Sequence, residues 1–164
     1  RQMCIRDRLF ENLHYDPETG AFTRLVTTSN RNVAGSIAGG YGANGYFRVS
    51  LLGKRYFAHR LAWFYMTGEW PDEIDHVNCI RDDNRFCNLR VASRKQNSTN
   101  MLLKPSNTSG FKNVSFDKAK GKWIARVRLN GKRKNLGLFE SPEDAYQAWQ
   151  RCAEPHDREF FNPG

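Results

Sequence analysis

Acidic residues are in short supply: 17 Asp and Glu stand against 26 Lys and Arg, a net charge of +9. Long apolar runs are missing as well. None approaches the roughly 20 residues that span a bilayer, and no apolar stretch of the signal-peptide kind follows the basic start. No membrane partner is therefore expected, and the location expected is intracellular: host cytoplasm, associated with the nucleoid. Cysteine is sparse. Cys4, Cys79, Cys87 and Cys152 form no C-x-x-C pair, which argues against a disulfide framework or a structural zinc site and for reduced thiols. Apolar bulk is limited too, with 39% hydrophobic residues and a mean hydropathy of −0.73. A chain of 164 residues has room for one ordinary domain or two small ones, and small modules can lean on a ligand for part of their order.

What is present is positive charge, unevenly spread. Residues 104–135 hold ten Lys or Arg and a single acid, Asp117. A cluster of this kind attracts polyanions through counterion release, and nucleic acid is the commonest such partner. An acidic protein partner or simple solubility would also account for charge alone. Aromatic residues make up 13%, too many for a disordered basic tail.

Residues 9–58 read as short strands separated by turns. Asp16-Pro17-Glu18-Thr19-Gly20 is a turn signal with a strand after it over 21–26, and five glycines fall within 35–45. Residues 46–51 and 55–58 flank Leu52-Gly53-Lys54 in a hairpin pattern. A short helix over 59–67 ends at Gly68. Residues 1–8 read like translated sequencing adapter and carry no functional weight. Residues 102–109 read as a linker. Beyond it, 122–129 and 133–139 form strands around Asn130-Gly131, a strong hairpin signal. Ser141-Pro142-Glu143-Asp144 then caps a helix through Ala145, Trp149 and Cys152, which Pro155 ends or kinks.

Between these halves lies an adjacent carboxylate and imidazole, in Glu73-Ile74-Asp75-His76-Val77-Asn78. Asn84-Arg85, Asn88-Leu89-Arg90 and Ser93 with Gln96-Asn97 follow. The pattern is strand, long loop, strand, then a helix with Ser93 as its N-cap. Over residues 59–100 this arrangement resembles the HNH endonucleases of phages and group I introns, which have a ββα-metal fold. The resemblance implies Asp75 and Asn97 as metal ligands, His76 as general base, and Asn88 as the brace of the loop that positions it. Asn97 stands where the relatives that name the family have a final His.

The chemistry asks for the same residue types. Mg²⁺ prefers oxygen ligands and keeps several waters, so one carboxylate and one amide oxygen make a reasonable protein share. A neutral His near water generates the nucleophile, with a 5′-phosphate and a 3′-hydroxyl as products. One divalent metal is expected, Mg²⁺ with Mn²⁺ as a substitute. Neighbours on a strand point to opposite faces, so Asp75 and His76 converge only through a bulge or twist. Cys79 sits where relatives commonly have Gly, and its cost depends on whether the position needs a positive φ. His59 is read as a packed, hydrogen-bonded structural residue.

Residues 109–161 resemble the plant APETALA2 DNA-binding domain, through Ser109-Gly110-Phe111, Gly121-Lys122-Trp123, Leu136-Gly137-Leu138-Phe139 and Ala145-Tyr146. That resemblance implies a three-stranded antiparallel sheet in the DNA major groove with a helix behind it. Alternation puts Trp123, Ala125, Val127 and Leu129 on one face of the central strand, and Lys122, Ile124, Arg126 and Arg128 on the other. The family's base-facing positions fall on Arg126, Arg128, Arg133 and Asn135. Lys112, Lys122, Lys132 and Lys134 suit phosphates, since Lys acts mainly as a point charge. Ser115 and Asp117 stand where the plant family has Arg, so its target sequence does not carry over.

The expected fold is α+β: a β-rich N-terminal segment with a ββα-metal unit over 9–100, a linker over 101–108, and a three-stranded antiparallel sheet packed on one helix over 109–164. The expected function is a homing-type, metal-dependent endonuclease acting on double-stranded DNA with no obligatory protein partner. The alternative is a sequence-specific DNA-binding regulator that does not cut. An RNA-binding protein would expose aromatics on its sheet, where this one offers Arg and Lys.

Overall fold

The computed structural model describes residues 5–129 and 131–153. Mixed helix and small antiparallel sheets divide into two units, Arg1–Asn97 and Ser98–Gly164.

The first unit opens with α1 (Ile5–Asn12), which takes residues 5–8 as its first turn. Neither the helix nor any role for those residues is foreseen from the sequence. Leu9 is fully buried on one side of it and Phe10 packs on Tyr65 with ring centroids 4.5 Å apart, which gives the helix a face to bury. β1 (Leu13–Tyr15) and β2 (Phe22–Arg24) pair antiparallel. β3 (Gly40–Tyr41), β4 (Phe47–Leu51) and β5 (Lys54–Phe57) form a second sheet in sequence order. Between β4 and β5, Leu52 (φ 50) and Gly53 (φ 75) make the two-residue turn whose backbone hand suits a twisted hairpin. The chain passes straight into α2 (Ala58–Thr67), and Gly68 stops it at φ 79 with its N–H donating to the Phe64 carbonyl.

α2 buries Ala58, Leu61, Ala62 and Phe64 in one core cluster with Val49, Tyr15 and Phe22, and buries His59 as well. Burying a side chain such as Leu61 contributes about 1.5–3 kcal/mol relative to exposure, so this apolar helix is what the small sheets are built around. The remaining elements are β6 (Ile74–His76), a 3-10 turn (Phe86–Asn88), β7 (Leu89–Val91) and α3 (Arg94–Asn100). Ser93 caps α3: its Oγ accepts from the Gln96 N–H at 3.3 Å, and the Gln96 side chain accepts from the Ser93 N–H at 2.7 Å.

In the second unit β8 (Val114–Asp117), β9 (Lys122–Leu129) and β10 (Lys132–Phe139) form an antiparallel sheet with β9 central. A bulge falls between Asn135 and Gly137. Ser141 caps α4 (Pro142–Cys152), its Oγ accepting from the Asp144 N–H at 3.1 Å. The helix buries Ala145 and Trp149 against Val114, Ala125 and Val127. Asn130 of the hairpin signal and Pro155 lie outside the described residues. Among the described residues, no helix is long and apolar enough to cross a membrane.

Candidate active site

β6 and β7 pair in the register Ile74↔Val91, Asp75↔Arg90, His76↔Leu89. The pairing puts Asp75 and Arg90 on one face of the ribbon and His76 on the other. Asp75 and His76 are both buried, at 4% and 5% exposure, and meet different neighbours. No bulge interrupts this register.

On the Asp75 face, Oδ2 accepts from Arg90 Nε at 2.9 Å and from Nη2 at 2.8 Å. The Ala92 N–H donates to the Glu73 carbonyl at 3.2 Å, so pairing runs past β6 and alternation puts Glu73 beside Asp75 on this face. Asn97, from α3, donates its Nδ2 to Glu73 Oε2 at 3.1 Å. That donation leaves the amide oxygen, the atom able to ligate a cation, for other partners. Carboxylate and amide oxygens suit a hard cation such as Mg²⁺ or Mn²⁺. Among the described residues no cluster of three or more His, Cys, Asp or Glu is arranged to hold a metal. Asp75 and Asn97 each carry an oxygen of the kind such a cation takes.

On the other face, the His76 ring lies edge-on to His59, with centroids 5.0 Å apart and planes at 75°. Tyr46 packs on both imidazoles and Phe57 stacks on His59. His76 Nε2 faces Asn84 Oδ1 at 3.4 Å, a long contact. Burial pushes the His76 pKa below the usual imidazole value, opposed by the Asn84 contact and by Asp75, Asp83 and Asp82. Burial drives His59 down further, to about 3, with His76 and Arg60 adding to the effect. His59 is packed, as expected, but its buried Nδ1 has no hydrogen-bond partner. Its hydrogen bonding therefore falls short of the expectation.

The loop between β6 and β7 is held from inside. Asn88 accepts at Oδ1 from the Asn78 N–H at 3.0 Å, and its Nδ2 donates to Asn78 Oδ1 at 3.0 Å and to the Asp83 carbonyl at 2.9 Å. The Asn88 carbonyl accepts from the Val77 N–H at 2.9 Å, and the His76 carbonyl from the Cys79 N–H at 2.9 Å. Asp83 is forked by Arg85 at 2.8 and 2.6 Å and receives Asn78 Nδ2 at 2.6 Å. Its carboxyl is lowered to about 2, chiefly by Arg85 and further by Asn78. Cys79 adopts φ 62, so this position does demand the left-handed backbone that suits Gly.

Residues 9–58, which offer no chemistry in the sequence, support this loop. Tyr15 OH donates to the Asn84 carbonyl at 2.6 Å, and the Phe86 N–H donates to the Pro17 carbonyl at 3.0 Å. Gly20 (φ 74) packs so closely that a Cβ there would lie 2.5 Å from the Arg85 nitrogen. Glu73, Asn84, Asn78 and Arg90 have no assigned role in the sequence reading. Asn78, Asn84 and Arg90 lie within the stretches that carry the resemblance, which is the sequence signal that could have found them.

In the second unit, register pairs Arg128 with Arg133 and Arg126 with Asn135, on the face away from α4. Arg126 also donates to Ser115 Oγ at 2.5 Å. A cleft of about 810 Å³ is lined there by Lys104, Asn113, Ser115, Arg126, Arg128 and Arg133. The lysines are scattered by comparison. Lys112 donates to the Thr99 carbonyl at 3.1 Å, and Lys122 pairs with Glu140 at 2.6 Å. Lys132 and Lys134 pair with Leu129 and Val127, which puts their side chains on the α4 side of the sheet, exposed at its edge.

Residues 56–99 match the family of HNH endonucleases. The matched segment is similar to nucleases of that family, and it carries Asp75, His76, Asn88 and Asn97. HNH nucleases generally use a divalent metal. Protein 3.8 of Escherichia phage T7 is 37% identical over 80 residues, 48% of this chain. The chain spans 66% of that relative's length. A solved structure of DNA binding and cleavage by the HNH homing endonuclease I-HmuI is similar at a TM-score of 0.42 and 20% identity, over 83% of this chain and 76% of that one. That likeness is too low to bear on the activity of this chain.

Proposed function

We propose that the chain is a metal-dependent DNA endonuclease of the homing type, cutting double-stranded DNA with His76 as general base and with Asp75 and Asn97 holding one divalent cation, Mg²⁺ or in its place Mn²⁺. The observation that carries this reading is the Asn88 brace. In a segment matched by HNH endonucleases, one asparagine ties both the Asn78 end and the Asp83 end of the loop that leaves His76. A base must be held in place before it can act, and this is the local geometry that does it.

Burial keeps His76 neutral at pH 7, the state in which an imidazole can take a proton from water. With Asn84 Oδ1 as the acceptor opposite Nε2, the tautomer that serves as base is the one protonated on Nε2. Asp75 and Asn97 bind the cation, which when bound supplies charge neutralisation at the scissile phosphate and the leaving 3′ oxygen. Glu73 orients the Asn97 amide by accepting from its Nδ2. In this reading the nuclease domain is 9–100, joined by 101–108 to an APETALA2-like DNA-binding domain over 109–164. There Arg126, Arg128, Arg133 and Asn135 face the bases, and Lys132 and Lys134 reach flanking phosphates. Lys112 and Lys122 contribute to the field while engaged with Thr99 and Glu140.

The test is conversion of supercoiled plasmid by the purified chain with Mg²⁺, with Mn²⁺ and with EDTA, beside His76→Ala. Metal-dependent cutting that drops by roughly 10²–10⁴ in the variant is expected. Binding without cutting under every metal would turn the reading to a DNA-binding regulator. Cutting that survives His76→Ala would overturn the site.

A further inference from the structure

Arg90 stands where a cation belongs. Its Nε and Nη2 both donate to a single carboxylate oxygen of Asp75, at 2.9 and 2.8 Å, in a pair exposed by only 20% and 5%. The pairing is built into the strands, because Arg90 and Asp75 are register partners across β6 and β7. A buried carboxylate is costly without a counter-charge, and the guanidinium is an always-charged, planar match for it. A divalent ion that uses Oδ2 must take the lone pairs that Arg90 now holds.

We propose that Arg90 is an internal cation competing with the metal for Asp75: it keeps the carboxylate paired in the metal-free chain and sets the threshold at which a divalent ion enters. This rests on the reading of Asp75 as a metal ligand. Two consequences separate it from simple structural support. Removing the charge tightens metal binding while loosening the metal-free fold. Replacing Arg90 with Lys keeps the charge, so the competition persists even where the planar geometry is lost.

The measurement is Mn²⁺ affinity by titration calorimetry on the full chain, with the thermal midpoint followed in EDTA and in excess Mn²⁺. The proteins are wild type, Arg90→Gln, Arg90→Lys and Asp75→Asn. Charge-assisted hydrogen bonds of this kind correspond to a roughly ten- to hundredfold gain in affinity for Arg90→Gln. Arg90→Lys should stay near wild type. Arg90→Gln should also melt lower than wild type in EDTA and recover more on adding Mn²⁺, because ligand binding stabilises in proportion to the logarithm of occupancy. If Asp75→Asn abolishes binding but Arg90→Gln binds no more tightly than wild type, the competition is wrong and the metal site stands. If Asp75→Asn binds Mn²⁺ as wild type does, the metal site is wrong and the competition goes with it. Should Arg90→Gln fail to fold even with Mn²⁺ present, an affinity for Arg90→Lys more than tenfold above wild type would overturn the proposal.

Discussion

The His59 and His76 rings lie edge to face, 5.0 Å between centroids, both buried against Tyr46. A proton on either one would be poorly solvated and would sit beside the other. Two imidazoles so placed belong to the neutral state of the protein.

This makes folding sensitive to acid. The pKa of His59 is lowered to about 3 in the fold, whereas an unfolded imidazole titrates near pH 6.5. Between those values the unfolded chain binds the proton and the folded chain does not, so stability is complete above about pH 6.5 and falls as pH drops toward 3. The slope from one such group approaches about 1.4 kcal/mol per pH unit. The thermal midpoint should therefore fall steadily between pH 7 and pH 4, and less steeply in His59→Phe, which keeps an aromatic ring in the cage. Equal slopes in the two proteins would mean that His59 is not the group responsible.

Asn88 holds its loop through one accepted and two donated side-chain bonds. Asn88→Asp keeps an acceptor for the Asn78 N–H but loses both donations, and Asn88→Ala loses all three. Leaving buried partners unpaired costs about 1–3 kcal/mol. Amide exchange across residues 77–88 should accelerate in both variants, more in the alanine, with cleavage falling in the same order. Cleavage lost without any change in exchange would show that Asn88 acts on the reaction and not on the loop.

The sequence made the strands, turns and caps of both units legible wherever a local rule operates. The Leu52-Gly53 turn, the Gly68 helix stop and the Ser93 and Ser141 caps are examples, because each is decided by residues within one turn of itself. α1 was hidden because Leu9 and Phe10 become helix-forming only against Tyr65 and its neighbours, far along the chain. The same distance hid the support of the loop by Tyr15, Pro17 and Gly20. Period-two alternation correctly sent Asp75 and His76 to different sides of the ribbon, yet it could not say that Arg90 would meet the one and His59 the other. Those partners depend on strand register and on where α2 packs.

Cys79 pays for its backbone. At φ 62 a β-carbon is crowded in a way that glycine escapes. Cys79→Gly should raise stability by about 0.5–1 kcal/mol, the relief of left-handed strain less the greater freedom of glycine in the unfolded chain. Its N–H bond to the His76 carbonyl is a backbone bond and survives the change. Denaturant unfolding followed through the aromatic core reads the effect, and a destabilised variant would mean that the thiol contributes more than the strain costs.

Arg128 and Arg133 are direct cross-strand partners in β9 and β10. Like charges so placed oppose the sheet by about 0.2–1 kcal/mol, which is unfavourable in the free protein and reversed when a polyanion lies across both. Arg128→Thr should therefore make the free chain slightly more stable, by up to about 1 kcal/mol, with Thr also favouring the strand. The same variant should weaken DNA binding by about 1–3 kcal/mol and blur the preference at one base position. Lys134→Ala, on the other side of the strand, should weaken all sequences alike and reduce the salt slope by about one. Midpoints without DNA and affinities at three salt concentrations measure both arms. If Arg128→Thr lowered the free midpoint, or if the two variants gave the same pattern across sequences, the arginine face would have no special part in reading DNA.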